Sequence, residues 1–244
     1  MEKGAPKNLA YIDDQGIGMR NNSLMTSSGE AGKSAHEQFK KRSEKTKAAR
    51  INSFGPRLGK VINAIAGDSK STKAWKKGAD GERAVGKRLD ELAAVHGWKV
   101  LHDRRIPHSR ANIDHILITD RGIFVIDAKN YEGLIRVEEK GGFLSESKAT
   151  LLVGNRNQNR LIEGVKKQVE LVANALSENH INVQTFGLLA FYGAEWPLFF
   201  KTKEIQGVLI NSKGIESAVL SQSMTSRIDF EEVFQMLKKA LPSK

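Results

Sequence analysis

Asn112-Ile113-Asp114-His115-Ile116-Leu117-Ile118-Thr119, followed by Gly122-Ile123-Phe124-Val125-Ile126-Asp127-Ala128-Lys129, is the stretch whose reading decides the fold. Both runs are rich in Ile, Val and Phe, and Asp120-Arg121-Gly122 between them is a turn signal, so they read as a β-hairpin. Side chains alternate along a strand. Asp127 and Lys129 therefore share a face with Ile123 and Val125, and Asp114 shares one with Ile116 and Ile118. A two-residue loop at Arg121-Gly122 sets Asp114 opposite Lys129 and Ile116 opposite Asp127, so that Asp114 is a diagonal neighbour of Asp127. A one-residue slip in register separates the two aspartates. Arg is also unusual in so tight a turn, which leaves the loop type open.

Charged side chains on an apolar hairpin are costly to bury unless paired or bound to metal. One reading puts Asp114 and Asp127 at frayed strand ends, with Lys129 in a solvated salt bridge. The other is chemical: acidic groups hold a divalent cation and a lysine steadies an attacking water or a developing charge, as a phosphodiesterase requires. Upstream, Asp80-Gly81-Glu82 opens a segment in which Val85, Leu89, Leu92, Ala93 and His96 recur at helical spacing, with Gly97 closing it and Asp80 as N-cap. Glu82 falls on the stripe of Val85 and Leu89 and so points at the core. The competing reading is a first-turn Glu favoured by the helix dipole. A second helix over residues 157–176 carries Leu161, Val165, Gln168, Val172 and Ala175 on one stripe. Gln168 is its polar intruder, either a satisfied core amide or a group reaching the same site.

These residues carry a resemblance. Gly78-Ala79-Asp80-Gly81-Glu82, Asn112-Ile113-Asp114-His115 and Phe124-Val125-Ile126-Asp127-Ala128-Lys129-Asn130-Tyr131 are similar to the nuclease-related domain family, NERD, of the PD-(D/E)xK nuclease superfamily. The similarity continues through residues 155–176, where Lys167-Gln168 matches a Gln of the family's later helix. It also takes in residues 187–200 (GLLAFYGAEWPLFF), and covers about residues 78–210 in all. It implies an α/β fold with a restriction-endonuclease-like core, a mixed β-sheet flanked by helices. It further implies Asp114 and Asp127 as metal-binding carboxylates, Lys129 as the catalytic lysine, Glu82 as a helix-borne acidic residue also at the metal, and Gln168 as an auxiliary polar group. Mg²⁺ or Mn²⁺ is the implied cofactor. Many members have Glu-Thr-Lys where this chain has Asp127-Ala128-Lys129. Asp is one methylene shorter, which bears on the metal distance more than on the assignment.

The 244 residues carry a formal charge of +11, unevenly spread. Residues 1–77 hold 16 Lys and Arg against 7 Asp and Glu, whereas residues 78–244 hold 23 against 21. Two parts follow: a basic, partly disordered N-terminal extension over 1–77 and a single α/β domain over 78–244. Residues 1–32 read as disordered. Residues 34–50 are polar all round and form at best a solvent-exposed helix. Phe54, Leu58, Val61, Ile62 and Ile65 give a short apolar face that could dock on the main domain, a partner or a membrane surface. The basic stretch is either a salt-sensitive phosphate-tracking arm or a solvated linker.

Other classes are disfavoured. The chain has no Cys, so disulfides and thiol catalysis are excluded. His36, His96, His102, His108, His115 and His180 lack zinc-finger spacing. His115 lies on the strand face opposite Asp114 and reads as structural. No G-x-S-x-G elbow, phosphate-binding P-loop, secretory signal or membrane-spanning run is present, and the expected location is the cytoplasm. Strands are expected at 134–137 and 143–153, extending the sheet, and at 183–192 and 205–210. A terminal helix is expected at 231–241. Trp196-Pro197-Leu198-Phe199-Phe200 is an aromatic cluster that either covers the core or stacks on bases. The function expected is metal-dependent hydrolysis of nucleic acid, with DNA the expected substrate. The alternative is a noncatalytic nucleic-acid-binding or protein-interaction module that kept the nuclease fold.

Overall fold

The structure, a computed structural model, describes residues 29–66, 70–107, 109, 111–140, 148–198, 202–211, 214–224 and 228–243. The readings of residues 1–28, of His108, of 143–147 and of Phe199-Phe200 lie outside these, as do those of the side chains at 54, 58, 61, 62 and 65.

In chain order the elements are α1 (Lys33–Ala66), α2 (Lys70–His96), β1 (Lys99–Arg105), β2 (Asn112–Thr119), β3 (Gly122–Asn130), β4 (Ile135–Lys140), β5 (Lys148–Val153), β6 (Arg156–Asn157), α3 (Asn159–Glu178), β7 (Thr185–Tyr192), β8 (Lys203–Ile205), β9 (Val208–Asn211), α4 (Ile215–Leu220) and α5 (Phe230–Ala240). Six strands form one mixed sheet in the order β1-β2-β3-β7-β9-β8. The β1-β2-β3 part is an antiparallel meander, β3, β7 and β9 run parallel, and β8 closes the edge antiparallel to β9.

Both faces of this sheet are covered, which is why its strands read as near-continuous apolar runs. On one face Val85, Leu89 and Leu92 of α2 pack on Leu117, Phe124, Ile126 and Leu188. On the other, Val172 and Leu176 of α3 and Val233, Phe234 and Leu237 of α5 pack on Ile116, Ile118, Ile123 and Val125. The fold class is therefore the expected one, a mixed α/β sheet flanked by helices. α5 matches the terminal helix closely. Asp229 caps it by accepting from the amides of Glu231 and Glu232, at 2.9 and 3.1 Å.

Several local expectations are corrected. The hairpin loop is Asp120-Arg121, with Thr119 paired to Gly122. Gly122 has φ +127°, and a Cβ there would lie 2.5 Å from the Gln184 carbonyl oxygen. That requirement for glycine sets the register. The resulting two-residue shift keeps every side chain on its expected face. α2 begins at Lys70, so Asp80 is mid-helix and pairs with Arg83 at 3.7 Å instead of capping. β4, β5 and β6 form a separate three-stranded sheet and do not extend the main one. The strand expected at 205–210 is a hairpin, β8 and β9, turning at Gln206-Gly207, where both residues have positive φ. β1 escapes the sequence reading because its Lys-Val-Leu-His-Asp-Arg-Arg has no apolar alternation. Its His102, Asp103 and Arg104 are nonetheless buried.

Candidate active site

The site forms where the β2–β3 ladder ends. Regular pairing stops at His115 and Ile126, and one further step would set Asp114 opposite Asp127. There a side chain takes over from the backbone: the Ala128 amide donates to Asp114 Oδ2 at 2.9 Å. The Lys129 ammonium donates to Asp127 Oδ1 at 2.5 Å and lies 4.0 Å from Asp114 Oδ2. The side chains of Asp114, Asp127 and Lys129 are 16%, 11% and 22% exposed, so the cluster is shielded yet reachable.

Glu82 arrives from α2, and two glycines let that helix come close. A Cβ at Gly81 would lie 2.6 Å from Asn130 Cβ, and one at Gly86 would lie 2.3 Å from Ala31 Cβ. Asn130, directly after Lys129, donates from Nδ2 to the Lys77 carbonyl oxygen at 2.6 Å and so ties the strand end to the helix. Glu82 is buried on the core side, as its stripe predicted. Its Oε1 accepts from the Gly32 amide at 2.9 Å.

Electrostatics bind the four residues into one unit. Burial, then the negative charge of Asp103, pushes the Glu82 carboxyl up from 4.5 to about 7, with Asp127 adding to the rise and Lys129 opposing it. Asp114 is raised well above the ordinary carboxylate range by burial, then by the charges of Asp127 and Glu82. Burial pulls Lys129 down, but Asp127 and Asp114 outweigh it, so the amine stays charged. Behind the site His115 is fully buried, its Nδ1 2.8 Å from Nδ1 of His102, which in turn reaches Asp90 at 3.1 Å through Nε2. Burial and the neighbouring His102 hold His115 well below its ordinary value and keep it neutral. It belongs to the packing under α2, as its face implied.

Gln168 is not joined to this group by a hydrogen bond. It is half-buried on α3, and its Oε1 is buried with no hydrogen-bond partner among the described residues. Among the described residues no group of three His, Asp or Glu side chains has the geometry to hold a metal ion. Asp114 and Asp127 alone still suit Mg²⁺ or Mn²⁺. Both ions take hard oxygen donors, and Mg²⁺ is commonly held by one or two carboxylates, completed by water and substrate phosphate. The negative charge of Asp127 that helps raise the Asp114 carboxyl is repulsion of the kind a cation relieves. Sequence reasoning missed Asp103 and Asn130, which buttress the site. Asn130 ends the apolar run of β3, but Asp103 lies within the polar half of β1, and nothing in the spacing singles it out.

A mixed sheet between helices, with a carboxylate pair and a lysine where the β2–β3 ladder opens, is consistent with a nuclease-like α/β domain. Residues 77–192 match the family described as nuclease-related domain. An uncharacterized protein of Bacillus anthracis is 38% identical over 82 residues, covering 32% of this chain and 37% of the relative. The chain thus spans little more than a third of that relative's length. No solved structure matches.

Proposed function

We propose that this protein is a metal-dependent nuclease that hydrolyses phosphodiester bonds in nucleic acid, with DNA as substrate. The observation that carries the reading is the convergence of Asp114, Asp127 and Lys129 at one strand end, with Asp127 Oδ1 and Lys129 Nζ 2.5 Å apart. Asp114 and Asp127 would hold Mg²⁺ or Mn²⁺. The ion's contribution when bound is Lewis-acid polarisation of the phosphodiester and acidification of water. Lys129 is held by Asp127 with its charge retained, so its ammonium can donate to the negative charge that develops on the phosphoryl oxygens. Glu82 sets the charge balance: with it ionised, three carboxylates face one ammonium. Gln168 on α3 is assigned the auxiliary polar role that the resemblance implies.

The test is cleavage of labelled single- and double-stranded DNA with Mg²⁺ or Mn²⁺ by the wild type, Asp127→Ala and Lys129→Ala. Metal-dependent cutting lost in both variants supports the reading. Cutting that survives both sinks it. A second reading, a nucleic-acid-binding module without catalysis, draws on the basic excess of residues 1–77. It predicts salt-sensitive DNA binding with no cutting by any form.

A further inference from the structure

The matched family segment begins at residue 77, yet the hydrogen bond on Glu82 comes from a residue fifty positions earlier in the chain. We propose that residues 29–34 complete the candidate site, with Gly32 and Ser34 as positioning residues that fix Glu82 relative to Asp114, Asp127 and Lys129. The inference rests on the nuclease reading above and extends it to the N-terminal segment.

The contact is built, not incidental. The Gly32 amide donates to Glu82 Oε1 at 2.9 Å. Two residues on, Ser34 donates to Asp103 from its amide at 2.8 Å and from Oγ at 2.7 Å. Asn112 Nδ2 donates to the same carboxylate at 2.6 Å, so one end of β2 anchors the clamp as well. Glu82, Asp103 and Ser34 are each at least nine-tenths buried. Gly29 and Gly32 make the approach possible. At φ +93° and +73° they adopt backbone conformations that disfavour other residues, and a Cβ would lie 2.2 Å from the His102 carbonyl oxygen and 2.9 Å from that of Ala79. Asp103 itself holds φ +49°, an uncommon conformation for a residue with a side chain.

A linker would run over the surface with its amides solvated. Here the segment spends a backbone donor on the one site carboxylate that comes from a helix. With Oε1 held by the Gly32 amide, Glu82 cannot rotate freely, and its charge is felt at Asp114. Partners of this kind, one step removed from a metal or substrate, commonly change affinity by about 10- to 100-fold.

The experiment uses the full chain and compares Ser34→Ala and Asp103→Ala with the wild type, with Ser34→Thr as the conservative rescue. Mn²⁺ affinity is measured by calorimetry, kcat and KM on DNA by cleavage, and opening of the clamp by amide exchange at Gly32. Expected are faster Gly32 exchange, Mn²⁺ binding weakened about tenfold and kcat lowered about tenfold with KM for DNA unchanged, with Ser34→Thr restoring most of each loss. Two outcomes overturn the proposal while leaving the nuclease reading intact. In one, both variants open the clamp yet keep wild-type Mn²⁺ affinity and kcat. In the other, neither variant loosens Gly32. A wild type that neither binds Mn²⁺ nor cuts DNA fails earlier, at the nuclease reading itself.

Discussion

The β2–β3 hairpin carries an aspartate near each end, and the fold treats them differently. At the turn, Asp120 is 37% exposed, accepts from Trp98 Nε1 at 3.0 Å and lies 3.5 Å from Arg121 Nε. Its charge is solvated and spent on holding the loop. At the open end, Asp114 is 16% exposed and faces Asp127, with Glu82 close enough for its charge to be felt. One residue type on one hairpin thus serves as scaffold at one end and candidate chemistry at the other. The difference lies in what surrounds each group: water and a donor for Asp120, like charges and a lysine for Asp114.

The largest expected effect breaks the comparison outright. Asp127→Ala or Lys129→Ala should lower metal-dependent cleavage by about 10³-fold or more, while Asp120→Ala stays within about twofold of wild type. Equal losses at the two ends in single-turnover assays would remove the distinction. DNA binding by Asp127→Ala, followed in a gel-shift titration, should persist or tighten because a negative charge is gone.

A second prediction concerns charge crowding. Asp114→Asn removes one of the repelling carboxylates, so its melting temperature in EDTA should rise above that of the wild type. The same variant should lose the stabilisation that excess Mn²⁺ confers on the wild type, about 2.7 kcal/mol at a hundredfold excess over Kd. Asp120→Asn should show neither change. Thermal melts with and without Mn²⁺ decide this.

The third prediction is a pH dependence. Glu82 has its folded value raised from 4.5 to about 7, so the folded protein binds this proton more tightly than the unfolded chain. Its contribution to stability is therefore complete below about pH 4.5 and lost as pH rises to about 7, amounting to about 3 kcal/mol. Melting in EDTA should fall between pH 5 and 8 by a margin that Glu82→Gln reduces. A slope unchanged in Glu82→Gln would show that the burden lies elsewhere.

The smallest effect is expected at Gln168. Its buried Oε1 has no partner among the described residues, so Gln168→Leu should be neutral or slightly stabilising. If the residue serves the site, kcat should drop by about tenfold without a fall in melting temperature. An unchanged kcat would confine Gln168 to packing.

Periodicity alone fixed much of this protein. The β2–β3 hairpin, the inward stripe of α2 and the apolar face of α5 follow from side chains alternating at two residues or recurring at 3.6. On α3 the expected stripe is corrected: Ile162, Val165, Val172 and Leu176 are buried, and Leu161, Gln168 and Ala175 are only half-buried. The placing of Asp114, Asp127 and Lys129 on one face is equally local, because it survives any even shift in register. The register itself was not legible. It depends on Gly122 being pressed against Gln184, a residue far along the chain. β1 was hidden because buried His102, Asp103 and Arg104 have the composition of a surface loop until their partners are in place. The N-terminal segment was legible only in part: residues 34–50 do lie in a helix that is exposed over most of their length. Residues 34–50 look solvated in sequence, but Ser34 finds Asp103 and Gly32 finds Glu82 only once the sheet and α2 have brought those carboxylates together. Local pattern sets which face a residue takes. Long-range hydrogen bonds and charges, invisible to spacing, decide which buried polar groups are paid for and which carboxylates meet.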